Sequence, residues 1–253
     1  MPIDCPPQTR DAGTGAAPGT RPEWSDARYE TAADPGLAAR LATVPGLVRP
    51  GVCTWDLSTR LPLHPLAVES AYGDPELLRA LAVRGADFAR RIRVDVIVGA
   101  ETGGIPLATA VSLASDLPFS FVRKPGYVGH EEREPAVRGA SVSNRRVLLV
   151  DDAVASGRSV EAFVGALQAE EATVLGVFSV VDMRDVAECV SPIAAALPMR
   201  SIATYREVVV AAGEHGVLSP RIGALAIDAI TNHWRVDDPR WALLGPSPAP
   251  RPR

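Results

Sequence analysis

The sequence predicts an α/β fold, a mainly parallel central sheet flanked by helices, with a small N-terminal hood. Three observations predict it. Apolar runs that read as strands buried on both faces recur at Val94 to Gly99, Val147 to Val150 and Thr173 to Val181. Segments with a helical apolar period separate them, and the glycine- and hydroxyl-bearing loops all follow strands, where open α/β sheets gather their ligands.

Length and composition bound the rest. At 253 residues and 47% hydrophobic, the chain can bury one substantial core. A net charge of −4 offers no basic field for nucleic acid. Cys5, Cys53 and Cys189 are three and far apart, which fits free thiols rather than a zinc site or a disulfide framework. Neither a signal-peptide core nor an uncharged bilayer-length run occurs, so the expectation is a cytoplasmic protein without a membrane partner.

Along the chain, residues 1 to 28 are rich in Pro, Gly, Thr and Ala and read as a disordered extension. A domain then runs over 29–245, with the hood at about 29–72 and the core at about 73–245. Leu37, Leu41, Val44 and Leu47 indicate a short helix, and Pro62 and Pro65 break any regular element that follows. Asp74-Pro75-Glu76 is a helix start, an Asp cap with Pro in the first turn, and Leu77, Leu78, Leu81, Ala82 and Phe88 mark a buried stripe reaching about Arg91. The strand Val94 to Gly99 leads through Ala100-Glu101-Thr102-Gly103-Gly104 into a helix from Ile105 to Ser115. A third strand, Leu117 to Val122, ends in Arg123-Lys124. Residues 125–142 have no apolar periodicity and read as a long loop, functional or disordered. After the strand at 147–150 the helical period returns from Val160 to Gln168. A short strand is expected at Pro198 to Ala203, helices at Tyr205 to Ala212 and Arg221 to Trp234, and a Pro-rich disordered tail at 246–253.

The chemistry concentrates in Arg146 to Ser159. Gly157 lets the backbone approach a ligand, Ser156 and Ser159 offer hydroxyls, and the free amides opening the next helix form a phosphate seat. Asp151 and Asp152 would repel that anion. A ligand with a phosphate at one end and a vicinal diol nearby resolves the conflict, because carboxylates accept from hydroxyls. That describes a 5-phosphoribosyl group. The glycines at 99, 103 and 104 before a helix make a second anion site by the same physics.

The run Val-Leu-Leu-Val-Asp-Asp-Ala-Val-Ala-Ser-Gly-Arg-Ser over 147–159 resembles the phosphoribosyl-pyrophosphate (PRPP) motif of type I phosphoribosyltransferases. Within that family the chain looks most like orotate phosphoribosyltransferase, through Gly104-Ile-Pro-Leu-Ala-Thr-Ala110, Phe119-Ser-Phe-Val-Arg-Lys124, Arg200-Ser-Ile-Ala-Thr-Tyr205 and Gly73-Asp-Pro-Glu-Leu-Leu78. The resemblance implies that the 5-phosphate is held by Ala155, Ser156, Gly157, Arg158 and Ser159. It places pyrophosphate against Glu101, Thr102, Gly103, Gly104, Arg123 and Lys124. Asp151, Asp152, Lys124 and Arg123 would be catalytic, and Mg2+ would be held through PRPP with the acid pair nearby. A homodimer is implied on the same ground.

The base half departs from the orotate pattern. The hood segment Ser58-Thr-Arg-Leu-Pro-Leu-His-Pro-Leu-Ala67 lacks the Gly, aromatic and acid of those enzymes. Their lid Lys falls here on Tyr127, with Arg133 or His130 as stand-ins, and their Asp-Arg pair reads Asp182-Met183-Arg184. Arg184 and Tyr127 are therefore the residues assigned to the acceptor, with a surface charge an equal reading of Arg184. Orotate or a related heterocycle, an adenine-type acceptor suggested by Arg123-Lys-Pro-Gly126, and a non-catalytic PRPP-sensing regulator all stay open.

Overall fold

A computed structural model describes residues 29–31, 35–49, 66–124, 135–184, 191–232 and 239–244. Seven strands are joined in one sheet: β1 (Tyr29–Thr31), β2 (Val96–Ala100), β3 (Phe119–Val122), β4 (Val137–Gly139), β5 (Arg146–Val154), β6 (Thr173–Asp182) and β7 (Met199–Thr204). Their order is β1-β7-β6-β5-β2-β3-β4, and every pairing is parallel except β3 with β4. Among the described residues seven α-helices accompany them: α1 (Pro35–Thr43), α2 (Pro75–Ile92), α3 (Gly104–Ser115), α4 (Arg158–Ala169), α5 (Pro192–Ala196), α6 (Tyr205–Glu214) and α7 (Pro220–Thr231).

The strands are apolar without alternation because both sheet faces are covered. Leu148 and Val150 of β5 pack with Leu81, Leu107 and Val208 on the side of α2, α3 and α6. Val147 and Leu149 pack with Phe163, Val164 and Leu167 of α4 on the other side. Each fully buried Val or Leu of this kind stabilises the fold by about 1.5–3 kcal/mol. At the opposite end of the site strands, Arg146 grips Asp95, with Nε to Oδ2 at 3.0 Å and Nη2 to Oδ1 at 2.7 Å, while the Arg146 amide donates to Asp95 Oδ2 at 2.9 Å and the Asp95 amide donates to the Arg146 carbonyl at 2.7 Å. That grip aligns β2 with β5, and the guanidinium holds the Asp95 carboxyl far below its ordinary range.

Three features depart from the reading of the sequence. The expected loop at 125–142 contains β4, which pairs Ser120 with Gly139 and Val122 with Val137. A three-residue edge strand reading Val-Arg-Gly has no periodicity to detect. Strand β5 runs through Asp151 and Asp152 to Val154, so the acid pair ends a strand instead of opening a loop. Helix α5 is an unforeseen single turn, announced only by Ser191, whose hydroxyl accepts the Ala194 amide, and Pro192. In the region expected as hood, β1 pairs with β7 in the main sheet and α1 packs against α6. Residues 50–65 of that region, the 1–28 extension and the 246–253 tail lie outside the described residues.

Among the described residues no helix is long and apolar enough to cross a membrane.

Candidate active site

The chain leaves β2 toward β3 on one side and leaves β5 toward β6 on the other, so the crevice between the carboxyl ends of β2 and β5 is the switch point of the sheet. Pairing between them stops at Gly99 with Val150, whereas β5 continues beside β6 to Val154. The acid pair stands on that overhang. Asp151 is buried and Asp152 half-buried, and each uses Oδ1 to accept a backbone amide at 2.9 Å, of Asp152 and Ala153 respectively. Burial, then the Asp152 carboxylate, pushes Asp151 well above the ordinary carboxylate range, while Lys124 pulls it the other way.

The turn after β2 lies directly on β5. A Cβ built on Gly103 would stand 2.3 Å from Asp152 Oδ2, and one on Gly104 would stand 2.2 Å from the Val150 carbonyl. This corrects the reason for those glycines. Gly103 has an ordinary helical φ of −67°, so no ligand or unusual backbone is needed to require it; the protein's own β5 occupies the space. The Glu101–Thr102 peptide in this turn is cis.

Glu101 finds a partner the sequence did not reveal. Its Oε2 accepts the Lys124 amide at 3.0 Å, its own amide donates to the Val122 carbonyl at 3.0 Å, and the Arg123 amide donates to Ala136 at 2.8 Å. The turn after β2 and the segment after β3 are therefore clasped together, which brings Thr102, Gly103, Arg123 and Lys124 to one side of the crevice. A carboxylate engaged in this way is a holder of the loop, not a natural contact for an anion.

On the other side, Ala155, Ser156 and Gly157 link β5 to α4. Gly157 is the helix cap, with φ +80°, the left-handed conformation that favours glycine, and no side chain caps the helix there. The first amides of α4 are thus left to other acceptors. Ser156 is buried, and Arg158 and Ser159 are exposed at the helix start. Gly103 meeting Asp152 four residues before Ser156 puts the turn after β2, the acid pair and the glycine-bearing link to α4 in one crevice.

Two assigned residues fare differently. Arg184 is at the end of β6, on the same rim, but its guanidinium is bidentate on Asp182, with Nε to Oδ1 at 2.9 Å and NH2 to Oδ2 at 2.5 Å. Tyr127 lies outside the described residues. Sequence reasoning missed Tyr72, in the 3-10 turn Val68–Gly73 that packs against β5. Its hydroxyl is buried with no hydrogen-bond partner, and burial, then Asp152 and Asp151, hold the phenol far above its ordinary pKa, so it stays a neutral donor. No periodicity singled it out. Among the described residues no three His, Cys, Asp or Glu side chains converge as metal ligands. The acid pair fits a divalent cation carried mainly by phosphate and water oxygens.

Comparison with known proteins agrees with this geometry. The phosphoribosyl transferase domain model matches residues 80–195. Orotate phosphoribosyltransferase of Pyrobaculum islandicum is 30% identical over 131 residues, which is 52% of this chain and 66%, just under two thirds, of that protein. Hypoxanthine/guanine phosphoribosyltransferase of Methanohalophilus mahii is 33% identical over 134 residues, 49% of this chain and 70% of the relative. The solved structure of Leishmania donovani UMP synthase superposes with a TM-score of 0.66 at 19% identity, over 80% of this chain and 43% of that one, a likeness of fold. With the PRPP-type motif on β5 and α4, a second glycine turn against it and relatives of this identity and coverage, the chain belongs to the type I phosphoribosyltransferase family.

Proposed function

We propose that the protein transfers the 5-phosphoribosyl group of PRPP to a ring nitrogen of a heterocyclic base, releasing pyrophosphate. The observation that carries this is the contact of Gly103 with Asp152, which lays the turn after β2 against the acid pair of the strand that leads into α4. The uncapped start of α4 seats the 5-phosphate, with the Ser156 and Ser159 hydroxyls beside it. Asp151 and Asp152 accept from the ribose hydroxyls. Pyrophosphate lies over Thr102 to Gly104, with Arg123 and Lys124 supplying positive charge.

In the reaction the bond from C1 to the pyrophosphate oxygen breaks and its electron pair leaves with the oxygen. The acceptor nitrogen supplies the pair for the new bond and gives up its proton. Preorganised amides and cations on the leaving-group side stabilise the charge that gathers there. The acid pair lends negative charge beside a sugar that turns cationic. Magnesium bound to PRPP would add charge neutralisation on the leaving group, with Asp151 and Asp152 the residues nearest to it.

The test is pyrophosphate release from PRPP and magnesium across a panel of bases, together with Asp152→Asn. Release with one base names the acceptor, and Asp152→Asn is expected to weaken PRPP binding and nearly abolish turnover. Unchanged kinetics would remove the acid pair from the mechanism. One observation favours a second reading, a PRPP-sensing regulator: Tyr127 stands where orotate enzymes carry their lid Lys. Tight PRPP binding with turnover on no base would select it.

A further inference from the structure

We infer that the acceptor is an uncharged heterocycle, not one that carries a carboxylate; this rests on the transfer just proposed and narrows its acceptor. The argument starts from strand order. β6, β5 and β2 are consecutive in the sheet, so the end of β6 lies across β5 from the glycine turn after β2. A nitrogen displacing a leaving group aligns with the breaking bond on its far side. With pyrophosphate over the β2 turn and ribose over the end of β5, the acceptor approaches over the end of β6.

Asp182, Met183 and Arg184 stand there. Asp182 pairs in register with Val154, and the Met183 amide donates to the Val154 carbonyl at 2.8 Å, so the three are held two residues beyond the acid pair. Arg184 is the cation of this wall, and Asp182 already balances it. Nε and the Arg184 amide both donate to Oδ1 at 2.9 Å, and NH2 donates to Oδ2 at 2.5 Å. The Arg184 and Asp182 side chains are only 6% and 11% exposed.

A fork-to-fork pair of this kind has no net charge. An ionised carboxylate seated against it would lose its water, meet the repulsion of Asp182 and find no unbalanced cation among the described residues at the end of β6. The N–H and C=O edges of an uncharged ring ask only for hydrogen bonds. Arg123 and Lys124, the cations after β3, lie on the far side of β2, where the diphosphate needs them.

The experiment uses the full chain with PRPP and magnesium, and compares hypoxanthine, guanine, adenine and uracil with orotate. At least one uncharged base is expected to exceed orotate in kcat/KM by about 100-fold, within the range that unmatched polar groups impose. Orotate turned over as well as the best uncharged base overturns the inference and leaves the transferase reading intact. Turnover on none of the five overturns that reading, and the inference with it. Asp182→Asn keeps the shape and removes the negative charge that opposes a carboxylate at this wall, so kcat/KM for orotate is expected to rise about tenfold with KM for PRPP unchanged. A folded Asp182→Asn enzyme with no gain for orotate overturns the inference, and the wild-type comparison decides it should that variant fail to fold.

Discussion

Helices α4 and α6 leave the same edge of the same sheet and begin in opposite ways. α6 follows β7 and opens on a capping box: the Thr204 hydroxyl accepts the Glu207 amide at 3.2 Å, and Glu207 Oε2 accepts the Thr204 amide at 2.7 Å. α4 follows β5 and opens on Gly157 with no side-chain acceptor, as α3 opens on Gly103 after β2. Helices α2, α5 and α7 resemble α6, capped by Asp74, Ser191 and Ser219. Among the described helices with a resolved cap, the two that flank the switch point are the ones that open on a glycine with no side-chain cap. Side-chain caps close the scaffold helices, and the glycine-capped starts lie beside the acid pair, where the proposed reading seats an anionic sugar.

The largest effect is expected from giving α4 an acid of its own. Gly157→Asp adds a negative charge at the uncapped helix start in a residue type that tolerates positive φ, and PRPP affinity by calorimetry should fall about 100-fold or more. Undiminished affinity would move the phosphate seat elsewhere.

Next comes Gly103→Ala. The new methyl would need the space of the Asp152 carboxylate, so stability should fall by about 1–3 kcal/mol in urea unfolding, and kcat/KM by at least about tenfold.

Asp151→Asn separates stability from function. Because the fold raises the Asp151 pKa, its ionisation costs stability as the pH climbs from the ordinary carboxylate value through the raised one. The variant should therefore melt about 2–4 °C higher than wild type at pH 8, gain less at pH 4, and bind PRPP more weakly. A lower melting temperature at pH 8 would mean that the buried carboxylate stabilises the free protein.

Smallest is Thr204→Ala, which removes a cap that serves only the scaffold. A loss of about 1 kcal/mol with unchanged PRPP affinity is expected, and a change in affinity would erase the distinction between the two helices.

Most of the sheet was legible because strands buried on both faces, such as 147–150 and 173–181, are written as unbroken apolar runs. Helix starts were legible where a side chain does the capping, as at Asp74 with Pro75. The central motif was legible because its chemistry is local, with acid pair, glycine and hydroxyls all within 151–159. Less was readable where a residue's partner is distant in the chain. Glu101 reads as one more residue of an anion loop until Lys124 is seen to donate to it, and Gly103 reads as clearance for a ligand until Asp152 is seen against it. Tyr72 has no signature at all. Arg184 read as a cation available to an acceptor, and the turn of chain that folds it back on Asp182 is a matter of side-chain geometry.

By itself the sequence determined most of the strands and helices and the single stretch that carries the PRPP-type motif, since apolar periodicity, caps and that motif act over a few neighbouring residues. Only the tertiary structure decided what those groups face. Strand order brings the turn after β2 onto the acid pair of β5 and sets the balanced Asp182–Arg184 pair on the opposite flank. Coulomb forces, desolvation and steric exclusion depend on distances through space, and those distances exist only once the sheet has closed.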